Sequence, residues 1–383
     1  MPIIWGCFME IREFLADLEY LVNIDSGYDA PDGVAKCSEF FREKFDSLGW
    51  ITETCDVGEG IGPLLICKNR EAEHYDLIMI GHLDTVFPKG TAAERPFRIE
   101  DAKAYGPGVG DMKDGDLLIY YVLRDAPREI TDRLNILVIY NPDEERGSFW
   151  SKAKMREYAK ITDYAFVYEG TGECGYYCIR KPGSVSFKVD FHGIKGHCGS
   201  MHTNGARSAI SEMARWIVTL DRMLHNKSLG TTANVGVVSG GTVRNVVADE
   251  ASMNGSIRLV DPKEFPRIYK TFERLTAGAK RRGIGVDIVY ETNEAVIPGA
   301  RETAYYEHLN KIGEPIGLPF KYRDTTGGLS DMNRIAPCDV ICIDSLGPVC
   351  RNIHNEGEYM AINSVEYAHR MSSFLLEDLA KNK

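Results

Sequence analysis

The 383-residue sequence predicts an α/β protein, with a mostly parallel sheet covered by helices on both faces and an inserted ferredoxin-like (βαββαβ) lid or dimerisation domain. Three observations predict it. Up to about residue 182, short continuously apolar runs alternate with segments of helical apolar spacing, as strands buried on both faces require. From residue 183 the strands alternate apolar and polar residues, as half-exposed antiparallel strands do. After residue 293 the first pattern resumes. One catalytic domain, 1–182 and 293–383, is thus split by an insert, 183–292.

In order, Glu10 to Asn23 and Val34 to Leu48 carry apolar residues at helical spacing, the second stopping at Gly49. Tyr75 to Ile80 is an apolar strand, Lys113 to Arg124 a helix, Leu134 to Tyr140 a strand, Trp150 to Ile161 a helix, and Ala165 to Tyr168 a strand. The insert reads as a strand at 184–191 and a helix with Ile210, Met213, Ile217, Leu220 and Leu224 on one face. Strands at 233–238 and 251–259, a helix at 263–282 and a strand at 285–290 complete the βαββαβ order. Helix 302–313, strand 339–343 and helix 363–381 close the chain.

A net charge of −11 argues against nucleic acid or an anionic membrane as partner, since both select basic surfaces. The ten cysteines form no C-x-x-C pair, which removes zinc-ribbon and thioredoxin-like readings. With no evident signal peptide and no apolar run of spanning length, a reducing cytoplasm is the expected location.

Four strands end in, or lead into, possible metal ligands. Strand 75–80 runs into His82 and Asp84, strand 134–140 into Asp143-Glu144-Glu145, strand 165–168 into Glu169, and strand 339–343 into a loop with His354. Carboxyl ends of strands form the ligand crevice of open α/β sheets. Taken singly, His82 is a hydrogen-bonded core histidine, the three acids a solvated turn, and Glu169 a cap. Asp111, closing the glycine-rich turn GPGVGD, either caps the next helix or is aimed into the crevice. That turn lacks both the dinucleotide spacing and the G-K-[ST] of a P-loop. Mixed imidazole and carboxylate donors suit zinc, with cobalt or manganese as substitutes, and the set can serve one ion or two.

GHLDTVFP, GPGVGDMKDG and NPDEERGS resemble, in order and interval, the signatures of the di-zinc hydrolases that include glutamate carboxypeptidase, acetylornithine deacetylase, succinyl-diaminopimelate desuccinylase and aminoacylase. The run from DTVFPKG to GPGVGDMKDG is most similar to the glutamate carboxypeptidase branch. The resemblance implies two zinc ions, with His82 on one, His354 on the other, Asp111 bridging, and Glu145 and Glu169 completing the spheres. It implies Glu144 as general base toward a hydroxide held between the ions, Asp84 hydrogen-bonded to the His82 imidazole, and a cis Asp111–Met112 peptide. Asp143 is expected in an outer shell or at the surface.

In the insert, GIKGHCGSMHTNGARSAI resembles the stretch whose histidine, here His197, stabilises the oxyanion, often across a dimer. His202 and Arg207 depart from that pattern. GGTVRNVVADEASMNGSIRL resembles the segment that binds a substrate carboxylate, through Asn245 and Arg258, and TGGLSDMN the loop lining the pocket, at Gly328. Arg180 and Lys181 are further candidates for a second acidic group. The implied activity is zinc-dependent hydrolysis of a peptide or amide bond beside a free carboxylate, in a likewise implied homodimer joined by the lid. Deacylation of N-acyl amino acids by the same chemistry is the alternative; a non-catalytic binding protein would have no use for Glu144, and a nucleotide-dependent enzyme would need the glycines at 106–110 to hold phosphate.

Overall fold

In a computed structural model, which describes residues 9–323 and 328–383, the chain opens with helices α1 (Ile11–Val22) and α2 (Pro31–Ser47). Proline at the first position of α2 presets its φ, and Gly49, at φ 77°, takes the left-handed turn beyond its end. Strands β1 (Ile51–Cys55), β2 (Leu64–Lys68) and β3 (Tyr75–His82) come after it, then helix α3 (Asp114–Asp125), β4 (Ile136–Asn141), α4 (Lys152–Ala159) and β5 (Thr162–Val167). Next come β6 (Gly183–His192), α5 (Ala209–Leu224), β7 (Thr232–Gly240), β8 (Glu250–Leu259), α6 (Phe265–Arg281) and β9 (Gly285–Asn293). Helix α7 (Ala300–Gly313), strand β10 (Ile341–Ile343) and helix α8 (Val365–Lys381) end the chain.

The chain divides into two units. The described residues of Met1–Arg180, Ile297–Asp324 and Ser330–Lys383 form one, and those of Lys181–Val296 and Thr325–Leu329 the other. The first is built on a six-stranded sheet of order β1-β2-β4-β3-β5-β10. From β4 to β10 the strands are parallel, while β1 and β2 add antiparallel at one edge. Strands β2, β3 and β4 are buried at every residue, which explains their lack of alternation. The patterning did not predict β1 and β2, because they are five residues each and β1 is a half-exposed edge.

The second unit is a four-stranded antiparallel sheet, β7-β8-β6-β9, packed on α5 and α6. Its core holds Val185, Phe187, Val189 and Phe191 of β6 against Trp216 and Phe272. One expected core position differs: Ile210 is 38% exposed, and Trp216 fills that face instead, its ring 5.2 Å from Phe191. Among the described residues no helix is long and apolar enough to cross a membrane. The nine described cysteines are free thiols, Cys67 and Cys342 buried among apolar neighbours.

Candidate metal centre

His82 is the last residue of β3 and pairs with Asn141, the last of β4. Glu144 and Glu145 occupy the short 3-10 turn after β4, and Glu169 lies two residues beyond β5, which pairs with the other side of β3. Three adjacent parallel strands thus deliver their acids and imidazole to one edge, where open α/β sheets form their ligand crevices. His354 comes from the loop between Cys350–Arg351 and Tyr359–Ala361. Asp111 lies in the turn Val109–Lys113 ahead of α3, with a cis peptide to Met112. Its side chain caps no helix; it accepts from imidazoles.

Asp111 is the centre of the arrangement. Its Oδ1 lies 3.1 Å from His82 Nε2 and its Oδ2 lies 2.9 Å from His354 Nε2. Glu145 Oε2 is 3.3 Å from the same His354 nitrogen, and Glu169 Oε1 is 3.8 Å from His82 Nε2. Donor atoms of His82, Asp111 and Glu145 lie within 4.8 Å of one another, as do those of His82, Glu144 and Glu169.

Asp84 differs from expectation. The His82 Nδ1–H points to the Asp84 backbone carbonyl at 3.0 Å, with its carboxylate farther at 3.4 Å. That carboxylate instead accepts from the backbone N–H groups of Glu144 and Glu145, both at 3.0 Å. One residue therefore fixes the imidazole and also holds the turn that carries two acids. Of the two places expected for Asp143, the surface is ruled out: it is fully buried behind the turn, and its Oδ2 accepts from the Trp150 N–H at 2.8 Å. It braces the turn from within.

The electrostatics fit a centre for cations. Burial alone would depress the His82 imidazole, but Asp111 and Asp84 outweigh it and hold it well above its usual range. Hydrogen bonds to Asp111 and Glu145 push His354 up to about 10. Burial would raise the Asp111 carboxyl, yet the two imidazoles keep it below the ordinary range. Burial pushes up Glu144, Glu145 and Glu169, in each case reinforced by a neighbouring carboxylate. Carboxylates crowded together with imidazoles draw in positive charge, as protons or as metal ions, and metal binding would release the protons. Glu145 Oε1 is buried without a hydrogen-bond partner among the described residues. A buried carboxylate oxygen without a hydrogen-bond partner, beside an imidazole–carboxylate cluster, suits a cation as its partner. His82, Asp111 and Glu169 could hold one ion, and His354, Asp111 and Glu145 another.

The remaining candidates, Arg180 apart, lie in the second unit. His197 is exposed in the two-residue strand Gly196–His197, which pairs with Val246–Val247, and the next residue, Cys198, donates its backbone N–H to the Asn245 carbonyl. His197 and Asn245 are therefore neighbours. Arg258 pairs with Thr232 at the start of β7, whereas Asn245 follows Gly240 at that strand's end. Gly328 is exposed, and a Cβ there would meet nothing within 4 Å. Arg180 closes a segment of the first unit; Lys181 is buried and exchanges backbone bonds with Val296.

The sequence profile of peptidase family M20/M25/M40 matches residues 78–378. The chain belongs to this family. The enzyme is 26% identical to carboxypeptidase G2 of Pseudomonas sp. (strain RS-16) over 96% of this chain and 89% of that one. It is 25% identical to succinyl-diaminopimelate desuccinylase of Xanthomonas oryzae pv. oryzae over 90% of this chain and 94% of that one. Its fold matches a tripeptidase from Staphylococcus aureus with a TM-score of 0.75 at 22% identity, covering 97% and 99% of the two chains. It is a metal-dependent hydrolase of amide bonds.

Two parts of the enzyme's site escaped the sequence reading. Glu358, 1% exposed, accepts from the backbone N–H groups of Gly108, Gly110 and Asp111 at 3.2, 2.9 and 3.2 Å. Asp331, 1% exposed, accepts from Asn141 Nδ2 at 2.8 and 2.9 Å and from Ser148 Oγ at 2.5 Å, and burial raises its carboxyl to about 6. Neither has a signal of its own in sequence, since each depends on a partner far along the chain.

Proposed function

We propose that the enzyme is a di-zinc carboxypeptidase that cleaves a peptide or amide bond beside a free carboxylate, with glutamate among the residues it releases. The observation that carries this reading is the division of Asp111 between two imidazoles, each oxygen facing a different Nε2. Imidazole and carboxylate donors suit zinc, and cobalt or manganese would substitute. When bound, two such ions polarise the scissile carbonyl and make water nucleophilic at neutral pH. The five ligands in this reading are His82, Asp111, Glu145, Glu169 and His354.

Glu144 is left free of ligand duty and acts as general base. It takes a proton from the attacking water and returns it to the nitrogen of the leaving amine. Asp84 holds the backbone of Glu144 in place. His197 stabilises the oxyanion that develops on the carbonyl. Asn245 and Arg258 receive the free carboxylate end of the substrate, and Gly328 lines the pocket. Segments 1–182 and 293–383 form the catalytic domain of this reading, and 183–292 the lid.

A homodimer through the lid is part of the reading, as is a cytoplasmic location. Strand β7 is an edge strand with Val237 and Val238 59% and 54% exposed, and α5 beside it exposes Val218 and Met223. A monomer by light scattering at micromolar concentration would remove the dimer from the reading.

Similarity to the desuccinylase favours a second reading, deacylation of N-acyl amino acids. The deciding experiment strips the protein with chelator, refills it with zinc, cobalt or manganese, and offers C-terminal glutamyl peptides beside N-acyl amino acids. Metal-restored release of glutamate is expected. Turnover of the acyl substrates alone would move the assignment to the second reading, and no turnover with any metal would remove both.

A further inference from the structure

We infer that Glu358 is a positioning residue that fastens the two metal-ligand loops together and thereby sets the distance between Asp111 and His354. The inference rests on the di-metal reading above. The turn GPGVGDMK presents three backbone N–H groups, those of Gly108, Gly110 and Asp111, to the one Glu358 carboxylate. Gly108, at φ 70°, has the left-handed conformation that turns successive N–H groups to a common side. A side chain at Gly108 would meet Thr85 Cγ2 at 2.4 Å, and one at Gly110 would meet the Cys350 Cβ at 2.4 Å. The glycines thus let the turn lie against the hairpin that begins at Cys350. That hairpin carries His354, and Glu358 stands four residues beyond it.

A carboxylate is the side chain that can meet three converging donors with two oxygens. Packing alone would not call for one, since a buried charge costs free energy unless it is hydrogen-bonded. The Asp111 N–H is itself one of the three donors, so the clamp acts on the backbone of the bridging residue. Its other end is continuous with the chain that bears the imidazole 2.9 Å from Asp111 Oδ2. Side chains behind metal ligands commonly set affinity by roughly 10–100-fold.

The test compares wild type with Glu358→Gln, which keeps the volume and turns one acceptor into a donor. Zinc affinity and stoichiometry are read by competition with a chromophoric chelator, and thermal unfolding of the metal-free proteins reads any purely structural effect. Glu358→Gln should still bind two zinc ions, at least one of them about 10–100-fold more weakly. Hydrolysis lost at limiting zinc should return when zinc is added. Affinities within twofold of wild type, whatever the change in melting temperature, would overturn the inference and leave the di-metal reading intact. If Glu358→Gln does not fold, Glu358→Asp, which keeps the charge but falls short of the turn, serves with the same two outcomes. Wild type binding fewer than two zinc ions would overturn the di-metal reading and this inference with it.

Discussion

In the metal-bearing unit, His82 is buried at a strand end, Asp111 is held between two imidazoles, and the Glu144–Glu145 turn hangs on Asp84. In the lid, His197, Asn245 and Arg258 stand exposed on short strands, loops and a strand surface. The first arrangement gathers carboxylates whose mutual repulsion persists until cations arrive, so the fold must hold them there. The second asks little of the fold, since an exposed polar side chain costs almost nothing to display. The two units therefore differ in what they ask of the fold: the buried sheet holds residues against their own charges, and in the proposed reading the insert displays residues that need only meet the substrate.

Four substitutions put that contrast to the test. Glu144→Gln should lower kcat by about 10²–10⁴ while leaving metal content unchanged, measured by steady-state kinetics beside metal analysis. Loss of metal along with activity would make Glu144 a ligand and undo the contrast between base and ligands. For His197→Ala we expect kcat to fall about 10²–10³-fold with zinc affinity and melting temperature both unmoved. An unchanged kcat would reduce the histidine to a surface residue. Asp84→Asn keeps an acceptor for only one of the two N–H groups, and metal affinity should drop roughly 10–100-fold by chelator competition. If affinity holds, the turn is fixed by something other than Asp84.

The smallest effect concerns an ion pair in the lid. Glu212 accepts from Arg282 at 2.7 and 2.5 Å and from Trp216 Nε1 at 3.2 Å. Burial raises its carboxyl, but Arg282 outweighs this and leaves it below the usual value of 4.5. A carboxyl depressed by folding stabilises the folded state above its unfolded pKa, and that contribution is lost as pH falls through the folded pKa. Melting temperature should therefore decline more steeply below about pH 4.5 in wild type than in Glu212→Gln. Parallel curves would show that the pair contributes nothing.

Much of the fold was legible in sequence because burial writes itself into composition. Strands β3 and β4 are buried at every position and built around unbroken apolar runs, so their ends could be located and the acids beyond them noticed. The lid's βαββαβ order was legible through alternation. What sequence could not reveal was direction and partnership. Helical spacing placed Ile210 in the core where the fold puts Trp216, because a helix face is wider than the stripe that packs. H-x-D spacing suggested a carboxylate on the imidazole, whereas the chain turns so that the Asp84 carbonyl takes that bond and its carboxylate serves Glu144 and Glu145. Asp143 looked hydrated beside two acids, yet the turn folds it inward. Glu358 meets a turn 250 residues away, and no local pattern announces such a pairing.

Whether two metal ions share Asp111 can be read from anomalous diffraction of zinc-loaded crystals. Two zinc peaks are expected about 3.5–4 Å apart, one on each side of the Asp111 carboxylate, nearest His82 and His354 respectively. A single peak, or a second one away from Asp111, would contradict such sharing.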